Sequence, residues 1–85
     1  MRVVYAEEFT DEFRKLPKDV RELFRTQEAI FRENWRDARL HTKKLHDHPH
    51  AFSFRITRRY RVLFVFTERD VALFATIGHR KDVYR

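Results

Sequence analysis

Hydrophobic positions along this chain change their spacing twice, and the changes divide it into a strand, a helical half and a run of hairpins. Residues 2–5, Arg-Val-Val-Tyr, are β-branched and aromatic between polar neighbours and predict a short first strand. Thr10-Asp11-Glu12 supplies a capping hydroxyl followed by two acids, the signature of a helix start. Phe9, Phe13 and Leu16 recur four and three residues apart, one face of a helix that Pro17 either ends or follows by opening the next. From Lys18 to about Asp37 the helical period is clearest. Val20, Phe24, Phe31 and Trp35 form an apolar stripe with Leu23 and Ile30 beside it, and Trp35 reads as core. Arg21, Glu22, Arg25, Glu28, Arg32 and Glu33 fill the opposite, solvated face.

Periodicity is lost over residues 38–51, which read as a loop pinned by Leu40 and Leu45. Alternation then returns with a period of two. Phe52 to Thr57, Tyr60 to Thr67 and Val71 to Ile77 predict three strands, joined by turns at Arg58-Arg59 and at Glu68-Arg69-Asp70. Gly78, the only glycine, is expected to permit a sharp bend where the last strand ends. The order β-α-α-β-β-β predicts one α+β domain over residues 1–85, an antiparallel sheet with two N-terminal helices on one face. Phe52, Phe54 and Ile56 should face the helices, with Tyr60, Val62, Phe64 and Phe66 beside them. Ser53, Arg55, Thr57 and Arg61 should face the other way, on a sheet surface that no helix covers and that Leu63 and Val65 make partly apolar.

Composition supports a small folded domain. Nine Phe, three Tyr and one Trp supply a core, and an aromatic content this high argues against disorder although 38% of residues are charged. Without cysteine, disulfides and thiolate metal sites are excluded, and the chain needs no oxidising compartment. The N-terminus has no signal-peptide pattern and no stretch matches a membrane span, so the expectation is a cytoplasmic protein with no membrane partner. Nineteen Lys and Arg against thirteen Asp and Glu give a net charge of +6, which favours a polyanionic partner.

Cations gather in the second half: Arg55, Arg58, Arg59, Arg61, Arg69, His79, Arg80, Lys81 and Arg85, with Lys43, Lys44 and His46 in the preceding loop. Arginine suits phosphate because its planar fork donates two parallel hydrogen bonds. Arg58, Arg59 and Arg69 are also what an ordinary hairpin turn would carry. Arg61 differs: it interrupts the apolar run Tyr60 to Phe66, where a half-buried guanidinium is costly unless it binds something. His46-Asp47-His48-Pro49-His50 invites a metal, but its histidines share one loop without cysteine, and a solvated loop touching nucleic acid is the preferred reading. Neither a metal nor another cofactor is expected.

The order of short motifs adds a resemblance. Tyr60-Arg61-Val62-Leu63-Phe64, then Ile77-Gly78-His79-Arg80, then Asp82-Val83-Tyr84-Arg85 resembles the C-terminal half of the RelE/ParE toxins of type II toxin–antitoxin systems. Phe9 to Pro17, His41 to Leu45 and Ser53-Phe54-Arg55-Ile56 extend the resemblance over essentially the whole chain. It implies a metal-independent endoribonuclease that cleaves messenger on the ribosome, with rRNA contacts and a cognate antitoxin as partner in a hetero-oligomer. The implied reaction is attack of a ribose 2′-hydroxyl on the adjacent phosphate. It needs a base, cations on the phosphorane and an acid at the 5′-oxygen.

By position, Arg61 and Arg80 are similar to the family's phosphate-stabilising arginines, and Tyr84 to its C-terminal tyrosine. Arg55 matches a second-strand cation. No residue matches the paired strand lysines or the strand-loop Glu of some members, so His46 and His79 are the candidate bases. Lys43, Lys44, Arg58, Arg59, Lys81 and Arg85 are expected to contact RNA. Two other readings stand beside this one: a non-enzymatic ParE-like inhibitor of DNA gyrase, and an inactive toxin-fold binding module.

Overall fold

A computed structural model describes residues 1–84. The chain runs β1 (Arg2–Tyr5), α1 (Glu7–Arg14), α2 (Lys18–Glu33), a 3-10 turn (Ala38–Leu40), β2 (Lys43–Lys44), β3 (Ala51–Arg55), β4 (Tyr60–Glu68) and β5 (Val71–His79). The α+β class and the element order are those expected, with β2 as an additional strand inside the expected loop. The five strands lie in the order β1-β5-β4-β3-β2. The last three form the antiparallel meander, but β1 pairs with β5 in parallel, Arg2 opposite Val71, so the sheet as a whole is mixed.

Helix α1 begins at Glu7, earlier than the Thr10 cap suggested. Glu7 and Glu8 occupy its first turn, where backbone N–H groups favour negative charge, and Ala6 caps it without a side-chain bond. The Thr10 hydroxyl instead donates back to the Ala6 carbonyl at 3.4 Å. Pro17 caps α2: its carbonyl accepts the first helical bond, from Arg21 N–H at 3.1 Å, and its missing N–H falls where none is needed.

Helix α2 stops at Glu33, short of the apolar stripe that reaches Trp35. Asn34 is the reason. Its backbone leaves the helix at φ −156°, and its side-chain oxygen accepts from Arg36 N–H at 3.0 Å, a local bond that competes with helix continuation. Trp35 therefore lies beyond the helix, half-buried, edge-on to Phe52 and Phe66.

Phe31 sits at the centre of the core, fully buried, with Phe54, Phe64 and Phe74 at ring-centroid distances of 5.1, 4.9 and 5.1 Å. Phe9 and Phe24 extend that cluster under α1. Val62, Phe54 and Ile77 face it as the period of two requires, and Leu40 pins the segment after α2. Ile56 and Thr57, expected in the strand, belong to the hairpin turn, where the Thr57 hydroxyl accepts from the Arg59 and Tyr60 N–H groups.

Gly78 departs from expectation. It lies within β5 opposite Arg61, its φ is not positive, and no bend occurs there. What it provides is space: a Cβ at this position would meet Val83 Cγ1 at 3.3 Å. Among the described residues, no helix is long and apolar enough to cross a membrane.

Candidate active site

The uncovered sheet face is ordered in rows, because directly opposed residues in antiparallel pairs share a face. Lys43, Ser53, Leu63 and Thr76 make one row across β2 to β5. Arg55, Arg61 and Gly78 make the next.

The chain after β5 then folds back over this surface. Arg80 N–H bonds to the Arg59 carbonyl at 2.6 Å, and the N–H groups of Asp82 and Val83 bond to the His79 carbonyl at 2.8 and 3.1 Å. This turn buries Val83 against Gly78 and carries Tyr84 as far as β3, where its hydroxyl lies 3.0 Å from Ser53 Oγ. Ser53 is thereby buried on the face expected to be open.

Two clefts flank the returning tail. The first, about 230 Å³, is lined by His41, Lys43, Ser53, Arg55, Arg61, Arg80 and Tyr84. Four of these side chains are cations and none is a carboxylate. Among the described residues no carboxylate lies within 4.0 Å of any of the four. Arg61 donates instead to the Thr57 carbonyl at 3.2 Å. Gln27 of α2 donates to the Arg39 and Arg55 carbonyls at 3.1 and 2.9 Å, which ties the cleft's floor to the helix layer. Unneutralised guanidinium groups around a small concavity attract an oxyanion, and a fixed array of them stabilises charge that develops there.

The second cleft, about 380 Å³, shares Lys43 and Tyr84 with the first and extends past Lys44, His46, Asp47 and His48 to the apolar floor of Leu63 and Val83. The Tyr84 side chain on its wall is 48% exposed.

The structure brings Arg55, Arg61, Arg80, Tyr84 and Lys43 together, and sets Lys44 and His46 next door. His79 is not among them. The period of two turns it to the helix side, where its ring meets Tyr60 edge-on at 5.7 Å, its Nδ1 accepts from Lys81 N–H, and it shares a cleft with Glu8 and Glu12 of α1. Arg58 and Arg59 are exposed in the β3–β4 turn, and Lys81 is exposed in the C-terminal turn, outside both clefts. Arg85 lies outside the described residues. Among the described residues no three His, Cys, Asp or Glu side chains are placed to hold a metal ion.

Two residues of the first cleft were not among the sequence candidates, Ser53 and His41. His41 closes the 3-10 turn with a left-handed backbone, φ 48°, unusual for a residue with a side chain. The turn itself is set by Asp37, whose carboxylate accepts from the Arg39 backbone at 2.9 Å and side chain at 3.0 and 2.9 Å. These bonds hold the Asp37 carboxyl at about 2, below the ordinary 3.8.

No family model and no curated protein matches the chain by sequence. Solved structures do match. The isolated RelE toxin of E. coli aligns at a TM-score of 0.74 with 26% identity, over 98% of this chain and 89% of that one. A RelB–RelE antitoxin–toxin complex from Methanococcus jannaschii gives 0.78 with 19% identity, covering 95% and 94%. YafQ from E. coli BL21(DE3) gives 0.79 with 11% identity over the full length of both. By its fold, the chain belongs with the RelE-like toxin superfamily.

Proposed function

We propose that this protein is the toxin of a toxin–antitoxin pair and acts as a metal-independent endoribonuclease on ribosome-bound messenger. The observation that carries the reading is the first cleft: Lys43, Arg55, Arg61 and Arg80 converge beside Tyr84 with no carboxylate among the lining residues.

In this reading Arg61 and Arg80 take the non-bridging oxygens and gain most when the phosphorane forms, which is where cation placement accelerates transesterification. Arg55 and Lys43 hold the flanking backbone. Tyr84 stacks on a neighbouring base and donates to the departing 5′-oxygen. Lys44 and His46 line the path of the strand through the second cleft, and Arg58, Arg59, Lys81 and Arg85 add contacts to ribosomal RNA. The partner is a cognate antitoxin that covers the cationic face in a hetero-oligomer, and the site of action is the cytoplasm. The solved RelB–RelE complexes, in which a neighbour of this fold is bound to an antitoxin, support that partnership.

The test is primer-extension mapping of messenger 5′ ends after induction of the wild-type chain and of Arg61→Ala. New ends in frame with translation, present for the wild type and absent for Arg61→Ala, are expected. Intact messenger with induced DNA damage would overturn the reading in favour of gyrase. Intact messenger with normal growth would leave a binding module.

A further inference from the structure

We propose that His41 is the proton acceptor of this cleft, the group that takes the proton from the attacking 2′-hydroxyl; the inference rests on the endoribonuclease reading above. Among the described residues, the cleft holding Arg55, Arg61, Arg80 and Tyr84 is lined by one histidine and no carboxylate residue, and that histidine is His41. The two histidines that the sequence singled out lie elsewhere, His79 on the helix side of the sheet and His46 in the second cleft. Transesterification at phosphate requires a base within reach of the 2′-oxygen. Arginines are protonated throughout the physiological range and cannot serve. An imidazole ordinarily changes charge between pH 5 and 8, which suits it to the task.

Position supports the role. His41 is presented from the corner between the 3-10 turn and β2, two residues before Lys43, and its left-handed backbone is fixed from both sides. Its own N–H bonds to the Ala38 carbonyl at 3.2 Å, and the next residue, Thr42, donates to the Trp35 carbonyl at 2.6 Å. A residue with a side chain held in that conformation costs energy, and such costs concentrate at functional sites. The charged and titratable groups around the imidazole are Lys43, Arg55, Arg61, Arg80 and Tyr84 within the cleft, and Arg36, Asp37 and Lys44 on its outer side.

The step balances within the chain's own groups. The 2′-oxygen forms its bond to phosphorus as His41 takes the hydroxyl proton. The bond from phosphorus to the 5′-oxygen breaks, and that oxygen takes the Tyr84 proton. A 2′,3′-cyclic phosphate and a free 5′-hydroxyl leave, and solvent returns a proton from His41 to Tyr84.

The experiment compares cleavage of a defined message on programmed ribosomes by the wild type, His41→Asn, His41→Gly and Arg61→Ala, across pH 5.5–9. Asn and Gly both accept a left-handed backbone, so these variants remove the imidazole without straining the turn. Thermal melts establish that each is folded. The expected result is a fall of about 100-fold or more for His41→Asn, the range that a positioned base supplies, together with a changed pH profile. Added imidazole should restore His41→Gly several-fold. Full activity and an unchanged pH profile in folded His41→Asn, with Arg61→Ala inactive, would overturn the assignment and leave the nuclease reading intact. No cleavage by the wild type would remove both.

Discussion

Arg55 and Arg61 stand directly opposite each other on β3 and β4, both on the uncovered face of the sheet. Like charges in directly opposed positions destabilise a sheet by several tenths of a kcal/mol up to about 1 kcal/mol, so this pair is retained at some cost to folding. Arg61→Met should leave stability at low ionic strength equal or raise it by at most about 1 kcal/mol. The wild type should gain stability from added phosphate, and the variant distinctly less. Denaturant melts with and without phosphate measure both, and an equal phosphate response in the two proteins would contradict anion binding at the pair.

Gly78 and Val83 set the position of the tail. A methyl at residue 78 would stand 3.3 Å from Val83 Cγ1, tighter than ordinary contact. Gly78→Ala should change global stability little, because the better strand propensity of Ala, about 0.5–1 kcal/mol, opposes the crowding. Messenger cleavage should fall by a much larger factor than the stability change accounts for, as Tyr84 lifts from Ser53. Hydrogen exchange at the Asp82 and Val83 amides, faster in the variant, checks the cause.

Removal of the Phe31 ring should be the most damaging core change. It touches three other fully buried phenylalanines, and Phe→Ala in such a site costs about 3–5 kcal/mol. A domain of this size has little stability in reserve, so Phe31→Ala should be largely unfolded at growth temperature. A cooperative melt close to wild type would show that the core rearranges to fill the space.

Asp37 gives a pH signature at acid rather than neutral pH. Its carboxyl titrates at about 2 in the folded chain against 3.8 ordinarily. The folded-state value is the lower one, so the stabilisation is fully present above the unfolded-state value and is lost as pH falls through the folded-state value. Wild type and Asp37→Asn should therefore differ in melting temperature at pH 6 and converge as pH is lowered from about 4 to about 2. A gap at pH 2 as large as that at pH 6 would mean that the aspartate acts through something other than its charge.

Much of this arrangement was legible in the sequence, and the exceptions have physical causes. The stripe Val20, Phe24, Phe31 named the buried face of α2, and the alternation from Phe52 onward named the core face of the meander, because burial imposes those periods. Asn34 ended the helix through one side-chain bond that a hydrophobic pattern does not register. The parallel pairing of β1 depends on the whole meander, and four residues carry no sign of their partner. His79 and Arg80 are adjacent in the chain but face opposite sides of the sheet, so proximity along the sequence misled. His41 was hidden for another reason: it caps a three-residue 3-10 turn just before a two-residue strand, and neither is long enough for a period to show which way it points.

The pairing of Arg2 with Val71 joins segments from nearly opposite ends of the sequence, whereas β3, β4 and β5 are joined by tight turns. Closing so long a loop costs more chain entropy than zipping a hairpin, so the meander should assemble first and β1 should dock last. β1 is also an edge strand four residues long, and the cationic cleft lies towards the other edge of the sheet. The first strand is thus where fraying of the domain should begin, at the edge of the sheet away from the cationic cleft.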